Sequence, residues 1–273
     1  MAVRVAIQGE PGAFSHQAAL ALFGPDLTLV PQPTFSALFA VMGQGAADRA
    51  LLPIENTLVG SIHENFDRLL ASSLYVVGET QLRIEHCLIA RPGVGIDALR
   101  RVRSHPVALG QCRDFLARHF ALEVVPAYDT AGAVKELMVE GGGQQAAIAS
   151  ELAAATYGGA VLAFGIEDDP QNFTRFLVLG RDPAPPEGAS KTTLVFGLAH
   201  QPGSLHRALG VFATRGLDLA KIESRPKPGS PWEYLFYLDV LGDAKGAVAD
   251  ALAALQSLTR DLRVLGSYSE GIR

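Results

Sequence analysis

Short apolar runs alternate with amphipathic segments along the first two-thirds of the chain, and no other feature narrows its possible folds so far. βαβ units produce this pattern when helices cover a mainly parallel sheet. Val3 to Ile7 reads as the first strand. After a glycine-bearing turn, Ser15 is placed to cap a helix whose Ala18, Ala19, Leu22 and Phe23 share one face. Thr34 caps another, with Phe35, Leu38, Phe39 and Met42 turned inward, and Leu51 and Leu52 end a short buried strand. Ser61-Ile62-His63-Glu64 matches a capping box ahead of Phe66, Leu69 and Leu70 at helical spacing. Pro53 to Gly60 then forms the loop into that helix, in a position where α/β proteins place ligand sites.

Leu74 to Ile89 is extended, and a crossing into a second lobe is expected near Gly78 to Leu82. There the alternation repeats, with helices at Ile96 to Arg101, Leu109 to His119, Thr130 to Val139 and Glu151 to Tyr157, and strands near Val102, Val124, Ala147 and Leu162. The chain returns through Asn172 to Leu179. Lobe 1 is thus expected at about residues 1–78 and 172–181, and lobe 2 at about 79–171. Two crossings at one hinge resemble the periplasmic-binding-protein-like architecture, which holds ligand between its lobes.

Asp182-Pro183-Ala184-Pro185-Pro186-Glu187-Gly188-Ala189 is proline-rich and reads as a semi-rigid linker, expected over 182–191. A second domain, 192–273, follows. Thr192 to Ala199 is a strand, Pro202-Gly203 opens a helix through Phe212, Gly216 closes it, and Leu217 to Ser224 is a strand again. Tyr234 to Val240, Ala247 to Leu258 and Arg263 to Ser267 complete a βαββαβ order, that of a ferredoxin-like domain.

A chain of 273 residues supports two or three such units, each with its own core. Its formal net charge of -5 provides no basic field, so no nucleic-acid partner is expected and an anionic ligand has to be met by local groups. The N-terminal MAVRVAIQGEPGAF lacks the apolar core of a signal peptide and the length of a membrane helix, so the expected location is the cytoplasm, with no membrane partner. Cys87 and Cys112 lie far apart without a CxxC or Cys/His cluster, which points to two reduced thiols and no structural zinc.

Several segments together carry a family resemblance. Asn172-Phe173-Thr174-Arg175-Phe176, judged alone, fits an ordinary strand, but it is similar to the T-R-F signature of prephenate dehydratases. Gly9-Glu10-Pro11-Gly12-Ala13-Phe14-Ser15 resembles the family's G-x-x-G-x-[FY]-S turn, which leads into a helix N-terminus suited to an anion. Pro53-Ile54-Glu55-Asn56-Thr57 with Gly60-Ser61 resembles its more specific P-[IV]-E-N-[ST]…G motif. Ser104-His105-Pro106 with Gln111-Cys112 resembles S-H-P-Q…Q-C, with Val107 where Gln is common, and Asp129-Thr130-Ala131 its D-T-A helix start. A histidine before proline at a strand end is more often a packing or hydrogen-bonding group than an acid or base, and His105 is read that way. In the second domain Gly203-Ser204-Leu205-His206 resembles the G-A-L-[VL] segment of phenylalanine-binding ACT domains, with Ser and His as departures, and Glu223-Ser224-Arg225-Pro226 matches E-S-R-P.

The resemblance implies a carbon–oxygen lyase that takes prephenate to phenylpyruvate by losing hydroxyl and CO₂, with no cofactor. Thr174 would hydrogen-bond the departing hydroxyl, and Arg175 would fork onto carboxylate. Asn56, Ser104 and Gln111 would orient substrate, with Thr57 and Phe173 of the same motifs beside them. Glu55 would serve as an acid if burial raised its pKa, or equally as an orienting carboxylate. Phenylalanine would bind as allosteric effector through Gly203, Ser204, Leu205, Glu223, Ser224 and Arg225, in a homodimer or homotetramer. No mutase helix precedes Val3, so a single activity is expected. Arogenate dehydratase remains open, as does a non-catalytic amino-acid-sensing protein; a DNA-binding regulator lacks a basic helix-turn-helix segment.

Overall fold

The computed structural model describes residues 2–119, 122–140, 143–182, 188–227, 229–230 and 232–271. In chain order the first lobe runs β1 (Arg4–Gln8), α1 (Phe14–Phe23), β2 (Thr28–Gln32), α2 (Phe35–Gly43), β3 (Arg49–Asn56), β4 (Gly60–Ser61), α3 (His63–Ala71) and β5 (Tyr75–Arg83). The second runs β6 (Cys87–Ala90), β7 (Arg101–Ser104), α4 (Pro106–Gly110), α5 (Arg113–Arg118), β8 (Glu123–Pro126), α6 (Thr130–Glu140), β9 (Gln145–Ala149), α7 (Glu151–Tyr157) and β10 (Ala160–Ala163), before β11 (Phe173–Gly180) returns to the first sheet. That sheet has the order β2-β1-β3-β11-β5, with β4 on β3, and the second the order β10-β6-β9-β7-β8. β1 is parallel to β2 and β3, and β7 to β8 and β9, as βαβ connections require.

Every residue of β6 is buried, because its sheet is covered on both faces. Cys87 and Ile89 join an alanine-rich cluster with Ala131, Val134, Leu137 and Ala153, which α6 and α7 contribute. Leu88 and Ala90 face Val102, Leu109, Phe115 and Ile148 on the other side. The alanines let both helices lie close to the sheet.

The last third folds as β12 (Lys191–Gly197), α8 (Ser204–Ala213), β13 (Leu219–Pro226), β14 (Tyr234–Leu241), α9 (Ala249–Gln256) and β15 (Arg260–Tyr268). Its antiparallel sheet, β13-β14-β12-β15, packs Leu194, Phe196, Leu238 and Val240 against Ala208, Phe212 and Leu255 of the helices. This is the ferredoxin-like arrangement. The described chain divides into two compact units, Met1–Arg68 with Gln81–Phe176 and Leu69–Thr80 with Leu177–Arg273. Of the proline-rich segment read as a linker, residues 183–187 lie outside the described residues.

Four local expectations are corrected. Ser15 does not cap α1: Gly12 at φ +89 turns the chain earlier, extended Ala13 takes the N-cap position, and Ser15 is buried in the first turn. Ser61 lies in β4, paired with Glu55, because Asn56 closes a tight hairpin, and α3 starts at His63. Ile96–Ala98 is a single 3₁₀ turn before β7. The helix expected from Leu109 to His119 is two helices, since Cys112 breaks it and the Asp168 carboxylate accepts the N–H groups of Arg113 and Asp114 to start α5 afresh. Thr34 does cap α2, accepting from Ala37 N–H at 3.1 Å.

Candidate active site

Asn56, at the end of β3, organises a polar cluster. Its Oδ1 accepts the N–H groups of Leu58 and Val59 at 3.0 and 3.1 Å, which folds the loop back toward β4. That fixes the amide's orientation, so its Nδ2 donates to Asn172 Oδ1 at 2.7 Å and to Thr174 Oγ1 at 3.0 Å. Thr174 is buried, with 9% of its surface exposed. Thr57 clasps the start of β11: its N–H donates to Phe173 O, its hydroxyl donates to Gln171 O, and Phe173 N–H donates to that hydroxyl. Phe173 keeps 37% of its surface exposed. One step further along both strands, Arg175 Nη1 lies 3.1 Å from Glu55 Oε1, with side chains 10% and 30% exposed. The two motifs therefore meet as neighbouring strand ends, about 120 residues apart in sequence, with Glu55, Asn56, Thr57, Phe173, Thr174 and Arg175 in one place.

The remaining expected residues sit in lobe 2. Gln111 caps the end of α4, and its Oε1 lies 2.9 Å from Nε2 of His86, a buried histidine that no motif pointed to. Asp168 N–H donates to Gln111 O, and Ile84 N–H to Asn172 O, so the returning segment 166–174 runs from Gln111 to Thr174. Fully buried Ser104 donates its hydroxyl to Ile148 O at 2.6 Å, tying β7 to β9. His105 accepts Val107 N–H at the start of α4, a capping contact. Asn172, which the sequence placed at the head of the segment carrying Thr174 and Arg175 without a role of its own, is a direct partner of Asn56.

The glycine turn joins the lobes. Gly9 N–H, Gly12 N–H and Ala13 N–H donate to Gln32 O, His16 Nδ1 and Glu10 O, so the turn's own contacts use groups expected to meet an anion. Ser150 donates to Gly12 O at 2.6 Å, and a Cβ on Gly12 would come within 2.7 Å of Ala153 Cα. Glu10 accepts from Tyr128 and Lys135 of lobe 2.

In the ferredoxin-like unit, Gly203 sits at φ +78 as N-cap of α8. Ser204 and Leu205 line a cavity of about 140 Å³ with His200, Trp232, Tyr234 and Phe236. Glu223, Ser224 and Arg225 lie in β13 at the sheet edge, opposite Tyr237, Phe236 and Leu235. Phe236 is thus the residue between the two groups.

A two-lobed, periplasmic-binding-protein-like α/β body with hydroxyl, amide and guanidinium groups gathered on adjoining strand ends, followed by a ferredoxin-like unit, defines the class of this protein. Residues 5–184 match the family model described as prephenate dehydratase. Arogenate dehydratase/prephenate dehydratase 2 (chloroplastic) of Arabidopsis thaliana is 45% identical over 278 residues, covering 97% of this chain and 72% of the relative. The crystal structure of prephenate dehydratase in complex with L-Phe from Arthrobacter aurescens superposes with a TM-score of 0.89 at 36% identity, over 98% of this chain and 90% of that one. A structure described as GqqA, a novel type of quorum quenching acylase, has a TM-score of 0.88 at 37% identity, over 98% of both chains. The chain belongs to the prephenate dehydratase family. It is a dehydratase of the prephenate/arogenate type, a lyase of aromatic amino acid biosynthesis. Among the described residues no helix is long and apolar enough to cross a membrane.

Proposed function

We propose that the chain converts prephenate to phenylpyruvate in the cytoplasm, with residues 1–181 as catalytic region, 182–191 as linker and 192–273 as a phenylalanine-responsive ACT domain. The hydrogen bond from Asn56 to Thr174 carries this reading. It occupies a lone pair of the Thr174 oxygen and leaves the hydroxyl proton to be donated elsewhere. When the ring C–O bond of prephenate breaks, the electron pair of the departing carboxylate enters the ring, CO₂ leaves, and the departing hydroxide takes a proton from solvent to become water. A neutral donor at that oxygen stabilises the developing charge. Glu55 holds Arg175 in place, which favours an orienting carboxylate over a proton source. Gln111 completes the substrate contacts.

Acylase activity, named in the description of one structural neighbour, would call for an activated nucleophile if it proceeded through a covalent acyl intermediate. Asn56 directs an N–H at Thr174 where a base would be needed. Burial raises the Cys87 thiol to about 12 and raises that of Cys112 as well, so both stay protonated at neutral pH. The arogenate alternative has one more cation on its substrate; the plant relative carries both names. Steady-state assays with each acid decide between them, and phenylpyruvate formed faster than phenylalanine supports prephenate.

Arg175→Lys keeps the charge and loses the planar fork beside Glu55. It is expected to lower kcat/KM on the order of 10- to 100-fold, the worth of one charge-assisted hydrogen bond. Unchanged kcat/KM would place the substrate carboxylates elsewhere.

Phenylalanine is proposed to bind around Gly203, Ser204 and Leu205, with Glu223 to Arg225 of the edge strand β13 facing a second copy in a homodimer or homotetramer. Calorimetry should detect its binding, and substrate affinity should shift by roughly 5–150-fold. Gly203→Val strains a backbone held at φ +78 and should abolish both. Inhibition that persists in a variant unable to bind phenylalanine contradicts this site.

A further inference from the structure

We propose that His86 is a positioning residue that locks the Gln111 amide with its oxygen turned away from the substrate, so that Gln111 presents only N–H donors to the substrate's carboxylate. This rests on the reading of Gln111 as a substrate contact. The Gln111 amide has two ends that are sterically alike and electrically opposite. Only the end presenting N–H groups attracts an anion.

His86 immediately precedes β6 and is held on every side. Its N–H donates to Glu167 Oε2 at 2.9 Å, its carbonyl accepts from Ile166 N–H at 3.1 Å, and its ring meets Phe14 edge-on with centroids 5.3 Å apart. Nε2 lies 2.9 Å from Gln111 Oε1, while buried Nδ1 has no hydrogen-bond partner among the described residues. Two arrangements would fit these positions. In one, Nε2–H donates to the Gln111 oxygen and Nδ1 is a bare acceptor. In the other, the amide is turned over and Nδ1 carries an N–H buried without an acceptor, which is the costlier orphan. Burial, the dominant influence, lowers the pKa of His86 and keeps the ring neutral, with Gln111 and Glu167 opposing it. The first arrangement wins. The Gln111 oxygen is then committed, and its N–H groups have no partner among the described residues.

Nitrogen-15 NMR of the ring tests the lock directly, and the His86 signal is assigned among seven histidines by its loss in His86→Leu. Protonated Nε2 and bare Nδ1 are expected at about pH 7 to 8. His86→Leu frees the amide to turn and should raise KM about 10-fold with kcat little changed. His86→Gln, which retains a donor, should restore most of it. In a Gln111→Ala background His86→Leu should have no further effect on KM. A ring protonated at Nδ1, a normal KM in folded His86→Leu, or a full KM effect without Gln111 would each overturn the proposal. Should the wild type turn over neither prephenate nor arogenate, the functional reading fails on its own, and the ring spectrum still decides the lock. Should His86→Leu not fold, His86→Gln assigns the signal.

Discussion

Replacing Thr174 by alanine is expected to lower kcat roughly 10²–10³-fold while leaving KM within about a factor of three. The asymmetry follows from when the hydrogen bond forms. In bound prephenate the ring hydroxyl is neutral and a neutral donor adds little; as the C–O bond lengthens the oxygen gains charge, and a donor already aimed at it costs no reorganisation. Thr174 is aimed by the Asn56 N–H at 3.0 Å, and Asn56 by Asn172 and the N–H groups of Leu58 and Val59. Thr174→Ser keeps the hydroxyl and should retain most of the activity. Asn56→Ala should cost nearly as much as Thr174→Ala, and the double variant little more, because the pair acts as one device. Phenylpyruvate formation under saturating substrate reads these values, with circular dichroism to establish folding. Wild-type kcat in folded Thr174→Ala would mean that another group meets the leaving oxygen.

The alternation of apolar runs made the α/β body and the βαββαβ unit legible, because burial on both sheet faces leaves its period in the residues themselves. Thr34 was equally legible, since its partner lies three residues away. Asp168 restarting a helix 55 residues upstream was not, for nothing around Arg113 announces a carboxylate that arrives from the returning segment. The same reason explains the site. Glu55 to Thr57 and Phe173 to Arg175 were readable as motifs, and their meeting follows from β3 and β11 lying side by side. His86 carries no local pattern: its place is set by Gln111, 25 residues on, and by Glu167. The glycine turn was legible only as a turn, because a glycine before a helix serves an anion or a close backbone approach equally well; in the structure Gly12 lies close against Ala153.

Glu79→Ala is expected to destabilise the ferredoxin-like unit by about 3–5 kcal/mol, the cost of stranding a buried charge. Lys191, the first residue of β12, has only 5% of its side chain exposed and Glu79, in β5, has 0%. Their charged atoms are 2.6 Å apart, Glu270 approaches the same ammonium at 3.1 Å, and Gly271 N–H donates to Glu79 at 3.1 Å. Around this pair Arg263 donates to Leu70 O and Leu74 O, and Gly266 sits against Val76 O too closely for any Cβ. Residues 69–80 are thereby built into the small unit, although in sequence they belong with the first lobe. Removing the carboxylate leaves Lys191 with Glu270, which is 34% exposed and so offers a weaker, screened partner. Removing both charges together, as Glu79→Leu with Lys191→Met, should recover most of the loss, because well-packed apolar groups replace a buried ion pair at little net cost. A chain with two units need not unfold in one step, so hydrogen exchange at Lys191–Gly197 and Tyr234–Leu241 is the suitable measure. Protection of those amides should fall about 10²–10⁴-fold in Glu79→Ala and much less in the double variant. Equal protection in Glu79→Ala and wild type would show that the pair contributes nothing to holding β5 in this unit.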